Sequence, residues 1–296
     1  MQAVRKHYTW ESHARRYMDV LEKSMFQAAA SDMAAAAPSD AIGRRLAKLN
    51  YFIITDIDNT LIGEDNEYLP ELVELLGRCR EHIGFGVASG RTVSSVEEIL
   101  KAHDVPAPDV IISSVGAEIY YGRERHPGKG WATHIASKWN RKKVCSLLSR
   151  FDFLEYQEEA TQRPFKISYN MDPGKDRMAR IHNRLLENKC RYQLIYSHGK
   201  YLDILPYRAS KGKAIRYLSY KWDIPLGNFL VCGDSGNDEE MLRGEPLAVV
   251  VGNYSPELER LKGNRNIFFA GRPCAGGIMD AILKYRFIEK ATGGRP

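Results

Sequence analysis

The sequence predicts an α/β fold built on a parallel sheet, with a second α+β module inserted into it. The first observation is an alternation of short apolar strands and amphipathic helices from residue 51 to residue 121. The second is that the same alternation resumes at residue 210 and continues to residue 261. Strand–helix–strand repeats are typical of parallel sheets with crossover helices. The segment between the two halves lacks this alternation, so it is predicted to be an insertion.

The first half of the parallel-sheet region supplies five elements. Residues 51–55 (YFIIT) form a short apolar run rich in β-branched residues, which favours a buried strand. Helical periodicity follows before the next apolar run begins. In chain order, the predicted elements are strand 51–55, helix 69–82, strand 84–89, helix 92–105 and strand 109–121.

The second half supplies five more elements. Ser255 is predicted to be the N-cap of the last of these helices. Pro256 suits the first helical position, where its missing N–H loses no hydrogen bond. In chain order, the predicted elements are helix 210–223, strand 228–234, a helix beginning in 236–244, strand 247–253 and helix 255–261.

The remaining segments set the domain organisation. The inserted segment mixes polar helices with predicted strands at 165–170 and 192–197. Residues 4–26 have the periodicity of an amphipathic helix, and the Ala-rich stretch 27–43 predicts a linker or a loosely held helix. The predicted domains are an N-terminal helix and linker at 1–48, a core in two parts at 49–122 and 208–296, and an inserted domain at 123–207.

Composition excludes several classes of protein. With 44% apolar and 27% charged residues over 296 residues, the chain is neither wholly disordered nor collagenous. It has no apolar run of about 18 residues and no secretory h-region, so neither a membrane span nor export is predicted and a cytoplasmic location is expected. The five cysteines are scattered without a CxxC pair, which favours reduced thiols over zinc binding.

The small net charge of +6 conceals two opposite blocks. Residues 51–122 carry 4 basic and 13 acidic residues, a net charge of −9. Residues 123–200 carry 17 basic and 8 acidic residues, a net charge of +9. A basic block of this size is compatible with nucleic-acid binding. Steering of a small anionic substrate explains the same charge without a polynucleotide.

The sequence DIDNT follows the first predicted strand directly and contains Asp56 and Asp58. Ligands of open parallel sheets bind at the carboxyl ends of the strands. On an extended segment the two side chains would project to the same face, where a cation would relieve their repulsion. An Asp nucleophile beside an Asp general acid, with Mg²⁺ on hard oxygen ligands, fits this pair. A turn cluster and a calcium loop are alternatives, although Leu61 and Glu67 match a calcium loop only in part.

Two further elements could hold a phosphoryl group. Ser89, Gly90 and Arg91 close the second predicted strand, where a hydroxyl and backbone amides could bind phosphate at a helix N-terminus. A simple strand-to-helix turn with a serine cap is the alternative. Lys211 opens a later helix and could neutralise a phosphoryl group, or it could be a solvated surface lysine.

A second pair of carboxylates follows the strand at 228–234. Asp234 ends that strand, and Asp238 lies about one helical turn further on within GDSGND. Such a pair suits a hard cation. Neither the spacing of a P-loop nor that of a dinucleotide-binding fingerprint is present.

Together, DIDNT, SGR, the SKG lysine and GDSGND resemble the haloacid dehalogenase (HAD) superfamily of aspartate-nucleophile phosphatases. The resemblance implies a HAD-like Rossmannoid core, and the insertion resembles a type-IIB cap. The segments YLDILPYRASKGKA, GDSGNDEEML and VVVGNYSPEL resemble the sucrose-6-phosphate phosphatase family and the phosphatase-like C-terminal region of bacterial sucrose-phosphate synthases. The first predicted helix resembles the last helix of the glycosyltransferase portion of such a synthase.

The resemblance implies a Mg²⁺-dependent phosphatase acting through an aspartyl-phosphate. Asp56 would be the nucleophile and Asp58 the general acid and base, while Ser89 and Lys211 would grip the phosphoryl oxygens. Mg²⁺ would be bound by the Asp56 carboxylate, the Asp58 backbone carbonyl and Asp234, braced by Asp238. The candidates for binding the sugar are Gly90, Arg91, Glu118, Lys166, Asn170 and Asp203.

Alternatives to the leading substrate, sucrose 6-phosphate, stay open. Another disaccharide phosphate such as mannosylfructose phosphate is one. A phosphatase-like regulatory or docking domain of a sucrose-phosphate synthase is another, and association with the glycosyltransferase domain of such a synthase is a possible partnership. Glycosyl transfer by this chain alone is not expected, because residues 1–25 supply one helix at most. Neither nucleic acid nor membrane is predicted as a partner.

Overall fold

The structure, a computed structural model, describes residues 39–294. The predicted helix at 4–26 and most of the predicted linker lie outside the described residues. Of the described residues, those from Arg45 onward belong to one compact unit.

The described part of the chain contains twelve strands, in chain order β1 (Tyr51–Thr55), β2 (Ile83–Ala88), β3 (Val110–Ser113), β4 (Glu118–Tyr121), β5 (His126–Pro127), β6 (Glu155–Tyr156), β7 (Ile167–Asn170), β8 (Tyr192–Ser197), β9 (Tyr201–Pro206), β10 (Phe229–Gly233), β11 (Leu247–Val250) and β12 (Ile267–Phe269). The α-helices are α1 (Ser39–Leu46), α2 (Leu69–Arg78), α3 (Val93–Ala102), α4 (Lys129–Ala136), α5 (Arg141–Leu148), α6 (Arg177–Glu187), α7 (Lys211–Trp222), α8 (Glu239–Leu242), α9 (Cys274–Tyr285) and α10 (Phe287–Thr292).

The main sheet has eight strands in the order β12-β11-β10-β1-β2-β3-β4-β5, parallel from β12 to β3. Its central strands β10, β1 and β2 are almost entirely buried, as expected for parallel strands covered on both faces. In the register, Thr55 pairs with both Cys232 and Val87, so these three strands end together. The residues that follow them therefore share one edge of the sheet, which confirms the predicted α/β core.

One glycine is required by the packing of this sheet. The rings of Phe52 on β1 and Phe229 on β10 stack with centroids 5.8 Å apart. On the other side of Phe52, a Cβ at Gly84 would lie 2.2 Å from its ring. Glycine at this position of β2 therefore leaves the space that the aromatic ring fills.

The prediction of one strand over 109–121 is wrong. The chain reverses after β3, and β4 pairs with β3 in antiparallel orientation. At the reversal Ser114, Val115 and Gly116 have φ values of 54°, 60° and 91°. A Cβ at Gly116 would also lie 2.2 Å from the carbonyl carbon of Ser210. The sequence from 109 to 121 has strand propensity throughout, so it does not show the break at 114–116, which is imposed by the close approach of Ser210.

The helix predicted at 255–261 is present as a 3₁₀ helix, Pro256–Leu261.

The second sheet has the order β6-β7-β9-β8 and is antiparallel throughout. Its apolar face packs on α5 and α6 through residues such as Ile167, Leu202 and Ile181. Because strand side chains alternate, Ser168 and its partner Asp203 lie on the opposite face. The boundaries of this inserted domain stay a prediction, and the main sheet itself extends to β5.

Candidate active site

Asp56 and Lys211 form a buried ion pair at the end of β1. The Asp56 N–H donates to the carbonyl of Cys232 (2.9 Å), which continues the ladder between β1 and β10 by one residue. The Asp56 carboxylate accepts a hydrogen bond from Lys211 Nζ at 2.8 Å. Lys211 is fully buried at the first position of α7, whose N-cap is Ser210. The solvated surface lysine considered from the sequence is therefore excluded.

Lys211 uses all three of its N–H donors within the site. Besides Asp56, its Nζ donates to Asn237 Oδ1 (2.6 Å) and to Asp238 Oδ1 (2.7 Å). Burial opposes the charge of Lys211, but the carboxylates of Asp238 and Asp56 outweigh burial and raise its pKa. The ammonium is thus held charged among anionic groups.

Asp234 and Asp238 complete a cluster of three buried carboxylates with Asp56. One oxygen of each residue lies within 4.8 Å of the others. Asp238 Oδ2 accepts the N–H groups of Asp234 (3.1 Å) and Ser235 (3.2 Å), so both of its oxygens are engaged. Asp234 accepts one hydrogen bond from the Thr60 hydroxyl at 3.2 Å. Asp238 therefore braces the loop, whereas Asp56 and Asp234 are the more available ligands.

The charges of this cluster favour a cation. Three carboxylates and the single ammonium of Lys211 leave two formal negative charges in a buried space. Burial, and next to it the neighbouring carboxylates, raise the pKa of both residues against the opposing charge of Lys211, to about 7 for Asp56 and to about 8 for Asp234. A divalent cation with a preference for oxygen ligands would offset that charge. The donor set therefore fits such an ion.

The Asp58 side chain lies outside this cluster and pairs with Arg91. Arg91 Nη2 donates to Asp58 Oδ1 (2.7 Å) and Arg91 Nε to Asp58 Oδ2 (2.9 Å). The N–H groups of Leu61 and Ile62 both donate to the Ile57 carbonyl, so Asp58 lies in a turn that begins after Ile57. The charge of Asp58 still acts on Asp56 and is one of the causes that raise the pKa of Asp56.

Ser89 and Gly90 lie at the neighbouring strand end. Ser89 is fully buried after β2, and its Oγ accepts the Arg91 N–H at 3.2 Å. The cap of α3 is Thr92, not Ser89. The Gly90 carbonyl accepts a hydrogen bond from Lys166 Nζ at 3.3 Å. The polar face of the second sheet therefore reaches the edge where Asp56 lies.

The other predicted sugar-binding residues differ in their surroundings. Lys166 also lies 3.7 Å from Asp203, which accepts the Ser168 hydroxyl at 2.6 Å. Glu118 accepts the hydroxyls of Ser113 and Ser114 (3.1 Å each) and lies 3.8 Å from Arg163. Asn170, by contrast, bonds to two groups within its own sheet, Glu155 and Gln157.

Sequence reasoning missed several residues that shape the site, among them Thr60 and Asn237. Asn253 donates to the Asn59 carbonyl (2.7 Å) and accepts the Cys274 N–H (3.0 Å). Glu257 accepts the Gly236 N–H and so supports the loop that carries Asp234 and Asp238. Asn237 lies within the recognised motif GDSGND, and this position in the motif could have identified it as a site residue. Asn253 and Glu257 lie within VVVGNYSPEL, which was also recognised, but no local pattern shows the contacts that they make.

The fold is that of the HAD phosphatases with an inserted cap domain. A HAD subclass IIB sugar phosphatase superposes with a TM-score of 0.58 at 15% identity, covering 80% of this chain and 99% of that structure. At that identity the likeness concerns the fold alone. A sucrose-phosphatase from Synechocystis, solved in complex with sucrose and phosphate, has a TM-score of 0.76 at 33% identity and covers 80% of this chain and 98% of that one.

The family model described as sucrose-6F-phosphate phosphohydrolase matches residues 49–286. This chain therefore belongs to the sucrose-6F-phosphate phosphohydrolase family. Sucrose-phosphatase 1 of Nicotiana tabacum is 35% identical over 249 residues, which is 78% of this chain and 58% of that protein. Probable sucrose-phosphatase 2 of Arabidopsis thaliana is 35% identical over 250 residues, 79% of this chain and 59% of that protein. The chain thus spans about 58% of the length of these plant relatives.

A synthase also matches. Glucosylglycerol-phosphate synthase of Pseudomonas anguilliseptica is 30% identical over 242 residues, covering 80% of this chain and 31% of that protein. In that relative the matched region is one part of a longer chain. Within residues 39–294, no helix is both long and apolar enough to cross a membrane.

Proposed function

We propose that this chain hydrolyses sucrose 6-phosphate to sucrose and inorganic phosphate with Asp56 as the nucleophile. The observation that carries the proposal is the buried Asp56, held by Lys211 beside two further carboxylates at the carboxyl edge of the sheet. A fixed carboxylate beside cationic groups is what nucleophilic phosphoryl transfer needs, since that reaction depends mostly on positioning and charge neutralisation. The likeness to a sucrose-phosphatase bound to sucrose and phosphate supports the choice of substrate.

In the first step an Asp56 oxygen attacks phosphorus and forms an aspartyl-phosphate. The bond between phosphorus and the sugar oxygen breaks, and Asp58 donates its proton to that oxygen as sucrose leaves. Lys211 Nζ, by exchanging one of its three present acceptors for a phosphoryl oxygen, and the Ser89 hydroxyl bind the phosphoryl group and keep phosphorus in line with Asp56.

In the second step water attacks the phosphorus of the aspartyl-phosphate. Asp58, now ionised, takes a proton from that water, and the bond between phosphorus and the Asp56 oxygen breaks. Inorganic phosphate leaves with Asp56 again a carboxylate and Asp58 again protonated. The half-exposed position of Asp58 suits this exchange of protons with the substrate and with water.

Mg²⁺ is the proposed cofactor. Asp56, Asp234 and the Asp58 backbone carbonyl would hold it, braced by Asp238. When bound, it supplies charge neutralisation at the phosphoryl oxygens. Asp56 remains the attacking group and Asp58 the group that moves protons.

Removal of Mg²⁺ by a chelator is expected to abolish phosphate release, and added Mg²⁺ to restore it. Because the ion offsets two formal negative charges among buried carboxylates, it should also raise the melting temperature. At 100 times its dissociation constant a ligand adds about 2.7 kcal/mol of stability. Scanning fluorimetry with and without Mg²⁺ measures the shift, and Asp234→Asn should remove most of it. Full activity after chelation contradicts the metal proposal.

The residues that we propose to bind the sugar are Gly90, Glu118, Lys166 and Asp203, with Asn170 at the edge of the polar face of the second sheet. Lys166→Gln is expected to raise KM for sucrose 6-phosphate by about tenfold or more, since hydrogen bonds from charged groups are worth about 1.5–3 kcal/mol. Rates on an aryl phosphate without a sugar should change little. Lys175→Gln, an exposed lysine of the inserted domain, is the matched control. An unchanged KM in Lys166→Gln would remove this residue from the sugar site.

A phosphate-release assay across sucrose 6-phosphate, mannosylfructose phosphate and hexose phosphates tests the substrate. The highest kcat/KM on sucrose 6-phosphate is the expected result, and a clear preference for another sugar phosphate contradicts it.

The matched region within the glucosylglycerol-phosphate synthase favours one second candidate, a phosphatase-like regulatory or docking domain of a synthase. That candidate predicts no phosphate release from any ester of the panel.

A further inference from the structure

Arg91 was expected to bind the sugar, but its guanidinium is directed at Asp58. Nε lies 3.1 Å and 2.9 Å from the two carboxylate oxygens, and Nη2 lies 2.7 Å from Oδ1. The third nitrogen, Nη1, donates to the Ser95 hydroxyl at 2.9 Å. Each nitrogen of the guanidinium therefore already has a protein partner.

The backbone of Arg91 is held on both sides. Its N–H donates to Ser89 Oγ at 3.2 Å, and its carbonyl accepts the N–H of Ser114 at 2.8 Å. These bonds join the ends of β2 and β3 to the loop that carries the arginine. Because Ser95 also binds Nη1, the orientation of the two nitrogens that face Asp58, Nε and Nη2, is fixed before any ligand binds.

Asp58 is the more exposed partner of this pair. Its side chain is 47% exposed and projects from the turn after β1, whereas the Asp56 side chain is 6% exposed. A half-exposed carboxylate on a turn can occupy several rotamers. A two-point contact from a planar guanidinium fixes both the position and the plane of a carboxylate, which a lysine cannot do.

We infer that Arg91 is a positioning residue that holds the Asp58 carboxylate in place for proton transfer and acts on the reaction through Asp58. The inference rests on the proposed function, in which Asp58 is the general acid and base. A displacement of about 1 Å of a catalytic group can cost roughly 10²-fold in rate. Arg91 thus affects kcat, and the sugar is bound by other residues.

A double-mutant cycle of Arg91→Ala and Asp58→Asn tests this inference on the full chain with Mg²⁺. Arg91→Ala is expected to lower kcat on sucrose 6-phosphate about 10- to 100-fold, part of the roughly 10²- to 10⁴-fold that acid–base catalysis supplies. KM should stay within about twofold. In the Asp58→Asn background, the same Arg91 substitution should lower kcat by no more than about twofold, because its target is already lost.

Two further variants test whether the loss of kcat comes from lost positioning of Asp58, from the lost positive charge, or from the loss of any arginine–carboxylate pair. Arg91→Lys keeps the charge but loses the fork, and it should recover only a small part of kcat. Arg125→Ala removes a comparable arginine–carboxylate pair, Nε to Glu97 at 2.5 Å, and should leave kcat unchanged. With p-nitrophenyl phosphate, whose leaving group needs no proton, Arg91→Ala should keep the initial burst of nitrophenol while the later steady rate falls.

Three results would overturn the inference. If the fold-loss in kcat of the double variant equals the product of the two single losses, Arg91 acts independently of Asp58. A raised KM with unchanged kcat would return Arg91 to sugar binding. Loss of the burst together with a lowered melting temperature would indicate a merely structural role. The wild-type rate tests the proposed function separately: if sucrose 6-phosphate is not hydrolysed, that proposal fails, and the cycle is run on whichever phosphate ester the chain does hydrolyse.

Discussion

Asp56→Asn is expected to abolish phosphate release while the protein still folds. The amide has the same size as the carboxylate, but it cannot form the aspartyl-phosphate, so the loss in kcat should be roughly 10⁴- to 10⁶-fold, as for other nucleophile deletions. Lys211 keeps its hydrogen bonds to Asn237 and Asp238, so the loop that carries Asp238 stays in place. Phosphate release and circular dichroism on the same preparation measure both parts.

The same variant has a second expected property, a change in stability that depends on pH. Because the pKa of Asp56 is raised by burial to about 7, the folded state binds a proton more tightly than the unfolded state does. The stability that this group contributes is present below about pH 4 and is lost as pH rises through about pH 7. Without metal, Asp56→Asn should therefore melt higher than the wild type at pH 8, and the difference should shrink toward pH 4.

Asp152→Asn is the matched control, an exposed aspartate of the inserted domain that should change neither activity nor melting. Retained turnover in Asp56→Asn would exclude Asp56 as the nucleophile. A variant that melts below the wild type at pH 8 would show that the ionised Asp56 stabilises the fold, opposite to the direction that burial predicts.

The sequence was sufficient for the part of the site that strand ends define. Asp56, Ser89 and Asp234 each follow an apolar run, and parallel strands bring their carboxyl ends to one edge. Local pattern placed Lys211 at the start of a helix but left a surface lysine open, and its place in the site came from the family resemblance. The fold class and the shared edge of Asp56, Ser89 and Asp234 therefore followed from local pattern and topology.

What could not be predicted depends on turns and on contacts between distant segments. The turn that contains Asp58 depends on two hydrogen bonds that the Ile57 carbonyl accepts, and no pattern in the sequence indicates them. Arg91 could be recognised as part of a motif, but its direction depends on the bonds it makes with residues of two other segments. The contact between Asn253 and Asn59 joins residues that are 194 positions apart, and no periodicity or capping pattern encodes such a pair.

Lys211→Met is expected to abolish activity and to lower the free energy of unfolding. Methionine keeps the apolar stem but removes the ammonium, so Asp56 and Asp238 lose the cation that they share. Breaking one partner of a buried ion pair costs about 3–5 kcal/mol, because the remaining charge is left without compensation. Denaturant unfolding without metal at pH 8 measures the loss. Lys213→Met, on the same helix but with a side chain that is 27% exposed, should cost about 1 kcal/mol, near the upper value for surface pairs.

A second substitution separates charge from shape in this variant. If the destabilisation comes from uncompensated carboxylate charge, Lys211→Met combined with Asp238→Asn should regain part of the lost stability, because the amide oxygen can still accept the Asp234 and Ser235 N–H groups. Activity should not return, since the phosphoryl group would still lack the lysine. Further destabilisation of the double variant would instead assign the loss to packing around α7. Measurable turnover in Lys211→Met would remove Lys211 from the proposed machinery.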